Sequence, residues 1–274
     1  MATLSTSAAI HHAIVLDRQE LAPGVVLLGF DAPALVRVTK PGQFVMLVPP
    51  GGEVAATALG VYEAAENRAS VLFFVVGKRT RELEMLRSGD RITVAGPLGN
   101  GFTLGGARDV AIVAGGVGIA SVLLPAVALV RAGARVRLYY GARTAELLVE
   151  RERFESEGCE VHLATDDGTL GHHGYVTDVL ARSSHRPEMI LACGPTPMLR
   201  AVGSLAAEMN VDAQLSLEET FACGVGGCWG CVVPLLGTSP QAPRFPPAAQ
   251  NGSDVVYARV CKEGPVFWAH ELRW

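Results

Sequence analysis

Four cysteines in the last quarter of the chain have the residue type and the spacing of ligands for iron. Cys223, Cys228 and Cys231 form a C-x4-C-x2-C pattern, and Cys261 follows after a long interval. Plant-type [2Fe–2S] clusters are ligated at this spacing, with three ligands from one tight loop and the last from elsewhere in the chain. The glycines between the cysteines let the backbone curl closely around such a group. The pattern therefore predicts a [2Fe–2S] cluster.

Other uses of these cysteines remain open at the level of sequence. A structural zinc site more often pairs two C-x2-C knuckles, and the thiols could also be an incidental buried group. The chain has 6 cysteines, an even number, but three of them crowd into Cys223–Cys231, which is too local to staple a fold. Cys159 has no partner in the pattern, and we expect it to be a small buried apolar residue.

A glycine turn is the second candidate for chemistry. Gly115, Gly116 and Gly118 follow an apolar run and precede a helical pattern, an arrangement that turns backbone donors toward a pyrophosphate. The same turn could simply pack a helix tightly on a sheet. A second apolar run ends in Cys193 and the Gly194-Pro195 turn, and both turns are expected at one sheet edge, where open α/β sheets bind ligands.

The elements that must position these residues fall into two kinds. Residues 12–103 contain short β-branched or aromatic runs between turn signals, which predict an antiparallel barrel with one inserted helix at Thr80–Arg87. The expected barrel strands are Ala13–Leu16, Val25–Phe30, Phe44–Val48, Val71–Val76 and Arg91–Val94.

From Asp109 the pattern alternates between strand and helix, which predicts a parallel sheet with crossover helices, among them Ala145–Glu155. We therefore expect a fold of class β barrel plus α/β in three parts: a flavin-type barrel at 1–104, a nucleotide-binding α/β domain at 105–210 and a cluster module at 211–274. A Pro-rich stretch, Leu236–Pro247, is expected to be an exposed loop.

Charge and composition exclude several classes of function. The net charge of -4 and the absence of a basic run argue against a nucleic-acid partner. Val110–Val130 carries no charge, but its glycines and Pro125 divide it into a strand, a turn and a helix rather than a membrane span. The start of the chain has no basic segment of a secretion signal, so we expect a cytoplasmic protein. No Ser/His/Asp pattern supports hydrolase chemistry.

Taken in order, the motifs resemble the ferredoxin reductase-like family, and within it the electron-transfer subunits of type B dihydroorotate dehydrogenases. The resemblance covers nearly the whole chain. It rests on Gly96–Phe102, Gly115–Gly118, Gly141–Thr144, Thr165–Gly168, Gly174–Asp178, Cys193–Met198, Ser216–Glu219 and Val260–Phe267, together with the cysteines.

The resemblance implies an NAD-linked oxidoreductase subunit of pyrimidine biosynthesis. Its barrel would hold FAD, its sheet domain NAD, and its [2Fe–2S] module would face a separate FMN-containing catalytic subunit, within a homodimer or a heterotetramer. Electrons would pass from FMN through the cluster to FAD and leave as hydride to NAD+. The glycine turn would approach the pyrophosphate, Arg143 would lie on the ribose side, and Cys193 and Gly194 would lie at the nicotinamide. The remaining cofactor-binding residues would be Asp167, Pro195 and Met198. No residue of this chain is assigned a catalytic role.

Two departures from the family stand out. The family's Arg-Pro-[Ile/Leu]-Ser stretch for the flavin corresponds to Ala55–Ala58 here, so its guanidinium is absent, although Lys78 and Arg79 of the turn Gly77–Thr80 could compensate. The interval before Cys261 is also longer than usual. Two rival functions therefore remain: a subunit of another NAD(P)H:ferredoxin-type or specialised oxidoreductase, in which Arg143 could also select NADP, and a flavin-less cluster-bearing scaffold or regulatory subunit.

Overall fold

The computed structural model describes residues 8–51, 56–241 and 255–274. Its first part is a closed antiparallel barrel with the strand order β1, β2, β5, β4, β3, β6, as the sequence predicted. These strands are β1 (Ala9–Ala22), β2 (Val25–Asp31), β3 (Phe44–Val48), β4 (Thr57–Ala65), β5 (Arg68–Phe74) and β6 (Arg91–Leu98), accompanied by helices α1 (Pro33–Val36) and α2 (Lys78–Glu84).

The barrel strand β4 is absent from the strands expected from sequence. Its alanines and glycine have low strand propensity, so its sequence does not predict a strand by itself. Hydrogen-bonded pairing with β3 and β5, and burial of Val61 and Tyr62, decide its conformation. Helix α2 also begins earlier than Thr80, because Thr80 Oγ1 accepts the N–H groups of Val76 and Gly77 and so closes the first turn.

The second part is a sheet of seven strands in the order β10, β9, β8, β7, β11, β12, β15. The strands are β7 (Asp109–Gly115), β8 (Arg135–Ala142), β9 (Glu160–Thr165), β10 (His172–His173), β11 (Met189–Cys193), β12 (Asp212–Ser216) and β15 (Val266–Trp268). Its helices are α3 (Leu123–Arg131), α4 (Arg151–Ser156), α5 (Val176–Arg182) and α6 (Thr196–Met209).

The order of this sheet reverses between β7 and β11. Both strands run parallel, so their carboxyl ends open at one edge, which is where ligands of open α/β sheets bind. The uncharged stretch Val110–Val130 forms most of β7, a 3-10 helix at Gly116–Ser121 and most of α3. In the part of the chain that the structure describes, no helix combines the length and the apolar character needed to cross a membrane.

Two expectations about this domain need correction. The helix expected at Ala145–Glu155 is broken, because Glu150 has φ +62° and separates the 3-10 helix Ala145–Leu147 from α4. The expected boundary at 210 does not coincide with the edge of the sheet, since β12 and β15 both belong to it. The chain enters the cluster region from β12 and returns to the same sheet, so the last part is an excursion between two sheet strands.

We call this excursion the cluster arm, residues 217–241 and 255–265. It contains the hairpin of β13 (Val232–Leu236) and β14 (Val255–Arg259). The rings of Phe221 and Phe44 lie 4.9 Å apart, so the arm packs against barrel strand β3. Leu236, expected to open an exposed loop, is the last residue of β13, and residues 242–247 of that loop lie outside the described residues.

Candidate functional site

The four cysteines meet as two pairs of thiols in the cluster arm. Cys223 and Cys228 contact each other within the ligand loop, which we define as Cys223–Cys231. Cys261 contacts Cys231, and its backbone N–H donates to Cys231 Sγ at 3.4 Å. Negative charge on Cys223 also raises the pKa of Cys261, so the two pairs of thiols lie near each other.

This paired arrangement suits a two-iron cluster better than a single ion. A tetrahedral zinc site would bring all four sulfurs around one centre. In a [2Fe–2S] cluster, four cysteines serve two irons. The donor set and its pairing therefore fit the cluster predicted from sequence.

Backbone donors in the ligand loop favour negative charge on its first sulfur. Burial raises the pKa of the Cys223 thiol, but N–H groups of Val225, Cys228 and Gly227 outweigh it and bring the pKa down to about 6. Burial and contact with Cys231 instead raise the pKa of Cys261 to about 12. Thiolates are the ligand form of cysteine, and hydrogen bonds to the sulfurs stabilise a bound cluster.

The glycines of the glycine turn, Gly115–Gly118, have two different roles. A Cβ on Gly118 would overlap the carbonyl of Cys193, and one on Gly115 would lie 2.7 Å from Met198 Sδ. Gly115 thus allows the end of β7 to approach α6, and Gly118 allows the 3-10 helix Gly116–Ser121 to approach the end of β11. Gly116 has φ +53° and open space where a Cβ would point, so it can face a ligand. The packing interpretation thus applies to Gly115 and Gly118, and contact of Gly116 with a pyrophosphate stays a prediction.

The buried Cys193 thiol ends β11 beside three polar side chains. Its Sγ lies 3.8 Å from Glu218 Oε1, and the hydroxyls of Ser121 and Ser216 also reach it. Burial first, and then the Glu218 carboxylate, raises the pKa of Cys193 to about 12, so the thiol is neutral near pH 7. Burial likewise raises the pKa of Glu218. Sequence analysis did not single out Ser121 or Glu218, although Glu218 lies in the Ser216–Glu219 stretch of the resemblance.

Arg143 and Asp167 lie together at the carboxyl ends of β8 and β9. The backbone N–H of Asp167 donates to the carbonyl of Arg143 at 3.2 Å. The Asp167 carboxylate accepts from the hydroxyl and the N–H of Thr169, which lowers its pKa. Arg143 is exposed on the same edge as the glycine turn. This places both residues to one side of the crevice between β7 and β11.

The barrel faces this crevice through β4. A Cβ on Gly60 would lie 2.7 Å from Ser121 Oγ, so β4 touches the 3-10 helix that follows β7. Tyr62, two residues further along, donates its hydroxyl hydrogen bond to Glu150 Oε2 at 2.6 Å. The barrel and the sheet domain are therefore joined along one strand.

The expected flavin turn, Gly77–Thr80, lies beside the start of β4. Gly77 has open space where a Cβ would point. Arg79 Nη1 donates to the carbonyls of Ala56 at 3.4 Å and of Phe221 at 3.5 Å. The Arg79 guanidinium thus lies next to the segment in which the family's arginine is missing, while Ala55 of that segment lies outside the described residues. An open glycine and a cation at one place are compatible with a flavin phosphate.

Two family profiles match parts of the chain. The iron-sulfur cluster binding domain of dihydroorotate dehydrogenase B matches residues 248–273, and the oxidoreductase NAD-binding domain matches residues 112–204. The first match contains Cys261 but not the ligand loop, and the second covers the glycine turn and Cys193.

Relatives of similar length match nearly the whole chain. The electron transfer subunit of dihydroorotate dehydrogenase B (NAD+) from Caldanaerobacter subterraneus subsp. tengcongensis is 34% identical over 262 residues, which cover 95% of this chain and 97% of that protein. The protein of the same name from Desulforamulus reducens is 32% identical over 272 residues, covering 97% and 98%.

Solved structures share the architecture. A structure of an NADH-dependent reduced ferredoxin–NADP oxidoreductase superimposes with a TM-score of 0.82 at 28% identity, covering 100% of this chain and 92% of that one. The ferredoxin reductase of carbazole 1,9a-dioxygenase superimposes with a TM-score of 0.62 at 22% identity, covering 74% and 65%, and shows the fold alone.

Proposed function

Since this chain belongs to the family of dihydroorotate dehydrogenase B electron transfer subunits, we propose that it passes electrons between a [2Fe–2S] cluster, FAD and NAD. The cluster would exchange electrons with a separate FMN-containing catalytic subunit. When bound, the nicotinamide trades two electrons as hydride, the cluster moves one at a time, and the flavin does both.

One observation carries this proposal: the cluster arm and the 3-10 helix Gly116–Ser121, which begins within the glycine turn, contact neighbouring residues of the barrel. Phe44 of β3 and Gly60 of β4 are direct partners in the barrel ladder. Phe44 contacts Phe221 of the cluster arm, and Gly60 contacts Ser121 at the nucleotide crevice. The strand pair between the two sites belongs to the barrel that would hold the flavin, which supports a short path from cluster to nucleotide.

The chain's own residues bind and orient these groups. Cys223, Cys228, Cys231 and Cys261 would hold the iron, and Gly116 would let the pyrophosphate approach the backbone at the carboxyl end of β7. The neutral Cys193 thiol would face the nicotinamide, and Arg143 the ribose side. Gly77 and Arg79 would contact the flavin phosphates, with Arg79 replacing a guanidinium that residues 55–58 do not supply.

The first experiment is a visible spectrum of the full chain purified without oxygen, combined with release and identification of any flavin. We expect iron–sulfur and flavin absorption that NADH bleaches. Iron–sulfur absorption that NADH leaves unchanged, even after FAD is added, would instead support the flavin-less scaffold. The absence of the Arg-Pro-x-Ser stretch favours that second candidate.

The identity of the partner is a separate question. The likeness to the reduced ferredoxin–NADP oxidoreductase structure keeps a different redox partner open. Identifying the chain that co-purifies with the tagged protein would separate the two: a dihydroorotate-oxidising flavoprotein supports the proposal, and a ferredoxin-type partner supports the alternative. The assembly state, the choice between NAD and NADP and a cytoplasmic location stay predictions.

A further inference from the structure

Arg259 connects the two chain segments that carry the cluster cysteines. It lies at the end of β14, two residues before Cys261, and its Nη1 donates to the carbonyl of Gly226 in the ligand loop at 2.7 Å. Its guanidinium also lies over the Trp229 ring, 4.4 Å from the ring centroid. One side chain therefore holds the loop at two points, between the first and second cysteines and between the second and third.

The Trp229 contact coincides with an unusual backbone conformation. Trp229 has φ +58°, in the left-handed region that bulky residues rarely adopt. This conformation persists only where surrounding contacts hold it. The Arg259 guanidinium over the indole face supplies such a contact. Arg259 thereby helps to place Cys228 and Cys231 on either side of the turn.

Arg259 is also half of a largely buried ion pair. Its Nε donates to Glu263 Oε2 at 3.0 Å, and the side chains of Arg259 and Glu263 are only 16% and 14% exposed. The hydrogen bond to Glu263 is the main cause that raises the pKa of Arg259, with smaller effects from the charges on Cys261 and Cys231. A fixed positive charge and its counter-charge thus lie two residues before and two residues after the ligand Cys261.

We propose that Arg259 is a positioning residue for the ligand loop and that the Arg259–Glu263 pair sets the reduction potential of the cluster. The inference rests on the proposed function, because it requires the cluster. One-electron reduction adds one negative charge to the cluster and moves no other group. A nearby guanidinium stabilises that added charge and a nearby carboxylate opposes it, so the two members of the pair act on the potential in opposite directions.

The test is an anaerobic redox titration of the full chain, followed by the electron paramagnetic resonance signal of the reduced cluster. Arg259→Met leaves Glu263 without its counter-charge, so we expect a lower potential. Glu263→Gln leaves the guanidinium unneutralised, so we expect a higher one. The double variant should return toward the unaltered protein. The control is Arg153→Met, which removes an ion pair between α4 and Glu63 of β4, outside the cluster arm. This variant should not shift the potential.

A second readout separates the charge of Arg259 from its contacts. Arg259→Lys keeps the positive charge but loses the planar group that bonds Glu263 and Gly226 and covers Trp229. We expect it to keep the potential near that of the unaltered protein and to lose iron several-fold faster to a chelator. Should Arg259→Met retain no cluster, Glu263→Gln and Arg259→Lys still decide the question.

Two results would overturn the inference and leave the proposed function intact. One is a reduction potential of Glu263→Gln equal to that of the control, and the other is a shift of the same sign in Glu263→Gln and Arg259→Met. Unchanged iron loss from Arg259→Lys would overturn its positioning part. A protein with no cluster signal before any substitution would instead remove the proposed function and this inference together, so the two failures are distinguishable.

Discussion

The ligand loop and the flavin turn pack near each other on the barrel, yet their binding groups are supplied in different ways. The ligand loop supplies three of the four cluster cysteines from one short segment. At the flavin turn, the family's arginine is absent from the chain segment where it is expected, and Arg79 brings a guanidinium beside Ala56 from a different element. Covalent ligation demands one residue type at fixed positions, whereas a charge that pairs with a phosphate can come from any element that reaches it.

The sharpest test of the ligand side is Cys261→Ser. The hydroxyl is a poor ligand for iron, and three cysteines leave one iron without its second protein ligand, so we expect the [2Fe–2S] absorption to disappear. The measurement is iron and sulfide content together with the visible spectrum. Cys159→Ser is the matched control, because Cys159 is buried in the sheet domain away from the arm. An intact cluster in Cys261→Ser would show that the cluster site, like the flavin turn, does not require one residue type at a fixed position.

At the flavin turn, a substitution should weaken FAD binding rather than abolish it. Removing a charge-assisted contact in Arg79→Ala should weaken FAD binding by about 2 kcal/mol, roughly 30-fold. Equilibrium dialysis with FAD measures the effect, and the cluster content should not change. Arg81→Ala, on the exposed side of the same helix, is the control for general charge. Equal losses in both variants would show that Arg79 has no specific contact with the cofactor.

At the nucleotide crevice we expect an effect of intermediate size, because NADH binding there depends on the conformation of the backbone. Gly116→Ala introduces a methyl group into open space at φ +53°, where the Cβ costs roughly 1 kcal/mol. We expect the KM for NADH to rise about tenfold, since the methyl occupies the face open to the ligand and 1.4 kcal/mol corresponds to a tenfold change.

Gly133→Ala provides the matched control for this strain. Gly133 also has positive φ, at +83°, and open space, but it lies in the turn before β8 and away from the crevice. It should lower stability similarly without changing the KM. A similar rise in KM for both variants would mean that strain, and not contact with NADH, explains the effect.

The smallest expected effect concerns the contact that joins the barrel to the sheet domain. Tyr62→Phe removes the hydroxyl that donates to Glu150 and should lower the free energy of unfolding by about 1 kcal/mol. Denaturant unfolding measures it, and cofactor contents should stay unchanged. Burial and the charge of Glu150 raise the pKa of Tyr62, so this donor keeps its proton throughout the neutral range. A loss of FAD in this variant would show that the contact also shapes the flavin site.

Local patterns were enough to predict the features that depend on near neighbours. The cysteine spacing, the glycine turn and the alternation of strand and helix each lie within short segments, and the structure has the expected barrel and parallel sheet. Cys159 is buried, as we expected from its having no partner in the cysteine pattern, and burial raises its pKa to about 11. The break at Glu150 was missed because a left-handed glutamate has no clear signal in the sequence.

By itself, the sequence predicted the ligand set and the fold class of the barrel and the sheet domain, because residue type and short spacing decide which bonds a segment can form. Only the tertiary structure decided that β4 is a strand, that β12 and β15 share the sheet, and that Phe44 and Gly60 adjoin two different sites. It also decided that Arg79 reaches Ala56 and that Arg259 reaches Gly226. Such contacts join residues far apart in the chain, and pairing and burial across the whole fold bring them together.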